Sequence, residues 1–295
     1  MRLCFCLLWL CGTLCASAAM AATSLSVKDA AGNLVSLAAP AQRIVSLSPH
    51  TTEMLYAIGA GSRVVATVDY SNYPPAARQL PRVGSYMGIS LEAVLRQKPD
   101  LVLAWQDGGY PRELERLRGL GVPVFISHPL QLDDVASEMQ QLGRLLGSTA
   151  QADVVAGQYR QRLQQLRQRY AHRPPLSVFY QLSAAPIYTV SQQSFLGRML
   201  QLCGGRNVFG SLSQPAPQVS IEAVVAAQPQ VMLADQAGIL AMWTRWPSLP
   251  AVAKGTRYAL QADLISIPGP RLVDGAALVC ATLDKARRSL GLTLD

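Results

Sequence analysis

Short apolar runs closed by Gly or Pro alternate along this chain with stretches whose apolar residues recur every three or four positions. "RIVSLSP" (43–49) is a mostly apolar run ended by Pro49, and it leads into "TTEMLYAIGAG", where Met54, Leu55 and Ile58 follow helical spacing until Gly59 and Gly61 stop it. "SRVVATVD" (62–69) has the composition of a second strand, and "SNYPPAAR" that of a Pro-rich turn into a short helix. In "SLEAVLRQKPDLVLAW" (90–105), Ser90 is placed as an N-cap, Glu92 falls in the first turn, and Pro99 breaks the helix before the strand "DLVLAW". "RELERLRGLG" then reads as helix and "VPVFIS" as strand. Strands separated by helices of about ten residues predict parallel α/β structure with crossover connections.

The order returns in the second half. "LSVFYQL" (176–182) resembles the first strand, "FLGRMLQLCGG" is a helix closed by Gly204 and Gly205, and "RYALQADLISI" supplies later strand material. Between them the phrase "SLEAVLRQKPDLVLA" (90–104) comes back 130 residues later as "SIEAVVAAQPQVMLA" (220–234). Two distant copies describe two lobes of one design and exclude a solenoid. The intervening "STAQADVVAGQYRQRLQQLRQRYAHRPP" (148–175) carries Val155, Tyr159, Leu163, Leu166 and Tyr170 at helical spacing. Ser148 and Gln151 form a candidate capping box, and Pro174 and Pro175 end the run. One helix of about 24 residues, roughly 36 Å long, is expected to join the lobes and limit hinge bending. The expected architecture is therefore α/β, two lobes with parallel sheets joined by one long helix: residues 23–146, the linking helix 147–173, and 174–295.

The first 22 residues fit neither lobe. Arg2, an apolar run to about Cys15 and small residues ending in Ala-x-Ala choices make residues 1–22 a cleavable secretory signal peptide. A lipid anchor on Cys15 is the alternative, although Leu14 precedes it where such signals favour Gly or Ala. Four of the six cysteines lie in this leader, leaving Cys203 and Cys280. In an exported chain that pair reads as one disulfide, with two buried thiols as the other possibility. The net charge of +8 falls by one with Arg2 and suits an anionic partner or plain solubility. Arg160, Arg162, Arg167, Arg169 and Arg173 crowd the linking helix without interleaved aromatics, which describes a solvated face rather than a nucleic-acid site.

In parallel α/β sheets, ligands sit beyond the carboxyl ends of the strands. The loops there are "SPHTTE", "DYSNYPP", "GSYMG" and "WQDGGYP" in the first lobe, "LSAAPIY" and "DLISIPGPR" in the second. They hold Tyr70, Tyr73, Tyr86, Trp105, Tyr110 and Tyr188, most of the chain's scarce aromatics, which suits a large, flat, partly apolar ligand between lobes. His50, His128 and His172 lack neighbours at ligand spacing, so no metal site is expected, and His50 is placed as a loop residue that packs on or hydrogen-bonds a ligand. Neither a Gly-x-Ser-x-Gly elbow nor a phosphate-cradling Gly-Lys loop occurs, so no enzyme class is indicated. Glu92 and Glu222, on equivalent positions of separate lobes, are too far apart for an acid–base pair. They serve either their own helix dipoles or, one per lobe, a two-fold symmetric partner presenting arginines.

"RIVSLSPHTTEMLYAIGAG", "VDYSNYPPAAR", "LPRVGSYMGISLEAVLRQKPDLVLAW", "LCGGRNVFG" and "PQVSIEAV" together resemble the periplasmic binding proteins of ABC importers for cobalamin, haem and ferric siderophores, the cobalamin-binding members most nearly. The resemblance runs in order over nearly the whole chain after the leader. It implies two α/β lobes on a single-helix hinge, a non-catalytic monomer of the periplasm, and cobalamin as cargo rather than a resident cofactor. It also implies a permease dimer with ATPase subunits as partner, with Glu92 and Glu222 docking on permease arginines, and a Cys203–Cys280 disulfide. Carried over by position, the cleft contacts are Pro49, His50, Thr51, Tyr70, Tyr86, Trp105, Leu182 and Asp263. Tyr86 and Ala216 stand where a cobalamin-binding member has tryptophans, so part of the aromatic cradle differs. In haem-binding members a tyrosine near the "VG" stretch ligates iron, which makes haem, with Tyr86 as ligand, the alternative cargo.

Overall fold

The computed structural model describes residues 25–294; the signal peptide and the Cys15 alternative lie outside them. The described residues open with a hairpin, β1 (Leu25–Lys28) and β2 (Leu34–Leu37), then run β3 (Ile44–Ser46), α1 (Pro49–Ala57) and β4 (Val64–Thr67). A small hairpin, β5 (Gly84–Ser85) and β6 (Gly88–Ile89), leads to α2 (Leu91–Arg96), β7 (Leu101–Trp105), α3 (Pro111–Gly119), β8 (Val124–Ser127) and α4 (Asp134–Leu146). The linking helix α5 (Thr149–Tyr170) follows. The second lobe holds β9 (Leu176–Gln181), α6 (Phe195–Leu202), β10 (Gly205–Asn207), α7 (Ile221–Ala227), β11 (Val231–Ala234), α8 (Ala237–Leu240), α9 (Pro250–Ala253), β12 (Arg257–Ala259), α10 (Ala262–Ile265) and α11 (Leu272–Ser289).

Two separate parallel sheets form, ordered β4-β3-β7-β8 and β10-β9-β11-β12. Numbered within each lobe, both are 2-1-3-4, so the repeated phrase reflects a repeated topology. Its two copies are also built alike: Ser90 Oγ accepts from the Ala93 N–H at 3.1 Å and Ser220 Oγ from the Ala223 N–H at 3.2 Å.

Alternation along the strands divides the core. Ile44, Leu101, Leu103 and Phe125 face α1, α4 and α5, while Val45, Val102, Ala104 and Val124 face α2 and α3. In the second lobe Leu176, Val178, Val231 and Leu233 face α6 and α11, and Phe179, Met232 and Ala234 face α7 and Trp243. The inner faces of both lobes merge into one apolar cluster through Ala152, Ala156, Tyr159 and Leu163 of α5. The linking helix, 22 residues and roughly 33 Å long, is thus a packed wall of both lobes rather than a free strut.

Several expectations change. Ser148 does not cap α5: its side chain makes no cap bond and its Oγ is buried without a hydrogen-bond partner. The arginine face of α5 is not simply solvated. Arg160 donates to Gln140 and Ser137, Arg167 pairs with Asp133, and on the other lobe Arg162 reaches Asp274 at 2.5 Å. These are half-exposed links worth no more than about 1 kcal/mol each, but they dress the helix against both lobes. "RYALQADLISI" is strand only over Arg257–Ala259 and turns helical at Ala262.

Candidate functional site

The carboxyl ends of both sheets face the region where the lobes meet. From β3 the chain enters α1 directly, so Pro49, His50 and Thr51 are its first turn rather than a loop, with Pro49 at a position that needs no N–H partner. Burial follows: His50 and Thr51 are closed off from solvent. The His50 imidazole spends its hydrogen bond internally, donating from Nε2 to Ser127 Oγ at 2.7 Å, while Ser127 donates to Glu138 Oε2 and the His128 N–H to Glu138 Oε1 at 2.8 Å. Burial lowers the His50 pKa to about 3, helped by His128, so the ring is neutral. Burial also pushes the Glu138 carboxyl up to about 7, against the opposing pull of the Ser127 and His128 bonds. His50 acts on the cleft through Trp105, whose ring meets it edge-on at 5.7 Å.

The loop after β4 carries Tyr70 in the left-handed region (φ 65°), 66% exposed. A bulky residue is held there only by its surroundings. The support is a chain of buried hydroxyls: Thr51 to Ser46 at 2.7 Å, Thr52 to Ser46 at 2.9 Å, Thr52 to Thr67 at 2.8 Å, and Thr67 to Ser71 at 2.8 Å. Arg82 adds bonds to the carbonyls of Val68 at 2.9 Å and Ser71 at 3.2 Å. Tyr86 and Met87 form the two-residue tip of the β5–β6 hairpin and are 74% and 80% exposed. Tyr110 is not an open cleft aromatic: it is buried and its hydroxyl donates to the Ser85 carbonyl at 2.6 Å, holding that hairpin.

In the second lobe Leu182 follows β9 half-buried, Asp263 is exposed in the first turn of α10, and Tyr188 is exposed beside β9. Thus Pro49, Thr51, Tyr70 and Trp105 lie at the carboxyl end of the first sheet, Leu182 and Asp263 at that of the second, and Tyr86 on a hairpin flanking the first. Glu92 and Glu222 are both exposed, in the first turns of α2 and α7. What sequence reasoning missed is Glu53, buried in α1, which receives Arg271 of the second lobe through two bonds of 3.1 and 2.5 Å. Its only signal was a carboxylate among the apolar positions of α1. Cys203, at the end of α6, is disulfide-bonded to Cys280 of α11.

A family model for periplasmic binding proteins matches residues 44–264. The chain belongs to the periplasmic binding protein family. Within this family, the vitamin B12-binding protein of Vibrio cholerae serotype O1 is 42% identical over 252 residues, covering 84% of this chain and 91% of that protein. The vitamin B12-binding protein of Yersinia pestis is 37% identical over 245 residues, covering 81% and 85%. The crystal structure of the periplasmic vitamin B12 binding protein of Vibrio cholerae matches with a TM-score of 0.79 over 84% of this chain and 99% of that one. A periplasmic heme binding protein from Pseudomonas aeruginosa, 26% identical, matches with a TM-score of 0.71 over 82% and 92%. Periplasmic binding proteins with different cargoes thus share this frame, and identity favours the vitamin B12 group.

Proposed function

We propose that this protein captures cobalamin between its lobes in the periplasm, after removal of residues 1–22, and delivers it to an ABC importer. The observation that carries the reading is the 42% identity to a vitamin B12-binding protein over 84% of the chain. The cleft suits such a cargo. Tyr70, Tyr86, Trp105 and Leu182 offer apolar and aromatic area, while Asp263 and exposed loop backbone supply polar contacts for peripheral amides of a corrin ring. A loop already seated by buried hydroxyls costs little further ordering when cargo arrives. No bond is made or broken in this role; the protein binds, holds and hands over as a monomer. Glu92 and Glu222, one per lobe on equivalent helices, are assigned to a permease dimer with its ATPase subunits, whose two-fold symmetry matches the pseudo-symmetry of the carrier.

Titration calorimetry of the mature protein with cobalamin, haem and a ferric siderophore tests this directly. Cobalamin is expected to bind one to one and far more tightly than the other two. Tight haem binding with a tyrosinate-type absorption band, lost in Tyr86→Phe, would transfer the assignment to haem.

A further inference from the structure

Arg271 immediately precedes α11 in the second lobe, yet its closest side-chain partners belong to the first. Its Nε and Nη2 donate to Glu53 Oε2 and Oε1 at 3.1 and 2.5 Å, and its guanidinium lies 4.0 Å from the centre of the Tyr73 ring. Glu53 is 4% exposed and the Arg271 side chain 19%, so water screens the pair little. Burial raises the Glu53 carboxyl pKa, and the Arg271 bond pulls it back down. The loop before Arg271 runs hard against α1: a Cβ on Gly269 would stand 3.3 Å from Glu53 Oε2 and 3.5 Å from His50 Cα. The same guanidinium thus grips the first turns of α1 and the loop that carries Tyr70 and Tyr73.

We propose that Arg271 is a positioning residue for cargo capture: a clasp across the lobe boundary that fixes the width of the cleft and the seat of the Tyr70–Tyr73 loop. The inference rests on the cobalamin reading for its cargo. Its physical basis is independent of that reading. The linking helix packs on both lobes along one line and resists bending about that line least; a second attachment off the line adds the missing restraint. Arginine suits the task because its planar fork serves both oxygens of Glu53 while its face lies on Tyr73, which a lysine cannot do.

The test pairs spin labels at Glu115→Cys and Lys254→Cys, one exposed site per lobe, in wild type, Glu53→Gln, Arg271→Lys, Arg271→Met and the Glu53→Gln/Arg271→Met double variant. Each is also titrated with cobalamin. Wild type without cargo should give a narrow distance distribution, and every variant a broader one. If the capture-ready arrangement falls to a tenth of the population, the cobalamin Kd rises about ten-fold. The double variant should be no worse than the worse single, because both changes open one clasp. Unchanged distances with additive losses of affinity would assign both residues to direct cargo contact and overturn the proposal. So would a lowered Tm with distances and Kd intact. Failure of wild type to bind cobalamin would sink the cargo assignment, while the distances would still judge the clasp.

Discussion

The two lobes share one topological frame and fill the ground beneath the cleft in opposite ways. Under the first sheet's carboxyl end lie the hydroxyl chain from Thr51 to Ser71 and the His50–Ser127–Glu138 relay. Under the second lie aromatic rings: Phe179 and Trp243 meet edge-on at 5.7 Å, Phe209 meets Phe179 at 5.9 Å, and Trp243 Nε1 donates to Gln181 at 2.7 Å. That lobe also holds the disulfide and the fully buried Arg287, which donates to Pro174 O, Asp284 and Cys203 O at 2.7–2.8 Å. A repeated fold therefore constrains strand order and helix caps but not the chemistry of the floor. The shifted His50 and Glu138 lie in the first lobe and the disulfide in the second, so protons acting through that pair and reductants should act on different halves.

Reduction should give the largest effect. The disulfide closes a loop of 77 residues, and losing that restraint on the unfolded chain costs roughly 4 kcal/mol in the chain-entropy description. Cys203→Ser with Cys280→Ser should lower Tm by roughly 10 °C. In hydrogen exchange, amides of α6 and α11 should lose protection while β3 and β7 keep theirs. Equal melting of oxidised and reduced protein would show that the lobe does not depend on the bond.

The contrast between the lobes also marks how far the sequence could be read. Strands, the linking helix and the Ser90 cap were legible because they rest on local periodicity and punctuation, whereas the Ser148 cap read from the same kind of signal does not form. The 18-residue α11 was legible too, through Leu272, Val273, Ala276, Val279, Leu283 and Ala286, and was overlooked for want of a cap signal. Resemblance drew Pro49, Tyr70, Trp105 and Leu182 to the carboxyl ends of strands, as the loop order demanded. What stayed hidden was partnership at long range. Nothing local joins Glu53 to Arg271, 218 residues away, or His50 to Ser127, 77 away, and so His50 was placed beside a ligand when its ring is committed inward. Local patterns show where a side chain sits along an element; only packing shows which group it faces.

Acid sharpens the contrast next. His50, with a folded pKa of about 3 against its ordinary 6.5, contributes stability that is present above pH 6.5 and lost as pH falls toward 3, at about 1.4 kcal/mol per unit. Glu138, raised from 4.5 to about 7, works in the other direction: its contribution is full below pH 4.5 and lost as pH rises through 7. Between pH 4.5 and 6.5 the slopes cancel. Urea unfolding should therefore show little pH dependence from these two groups in wild type, whereas Glu138→Gln should lose about 2 to 3 kcal/mol relative to wild type over that window. Parallel curves for the two proteins would mean that the Glu138 carboxyl is not raised in the folded state, and a flat Glu138→Gln curve over this window would mean that His50 does not stay neutral there.

The smallest effect on folding, and the sharpest on function, belongs to the two repeated glutamates, where the copies differ in one neighbour. Glu92 is paired with Arg96 one turn on, at 2.6 Å, an exposed link worth about 0.3–0.5 kcal/mol. Glu222 has Ala226 at the matching position, and its carboxyl is held below the usual range by its own backbone N–H and the Ser220 hydroxyl, so it stays ionised with no arginine one turn on. If both dock on permease arginines, Glu92 must first release Arg96, whereas Glu222 has no cation to release. Cobalamin-stimulated ATPase activity in proteoliposomes should therefore fall further in Glu222→Lys than in Glu92→Lys and vanish in the double reversal, with cobalamin affinity unchanged in all three. Arg96→Ala should reach half-maximal stimulation at a lower carrier concentration, because it removes the competitor for Glu92. A higher concentration instead would make Arg96 a docking contact in its own right, and the difference between the two helices would then be part of how the carrier is oriented on the importer.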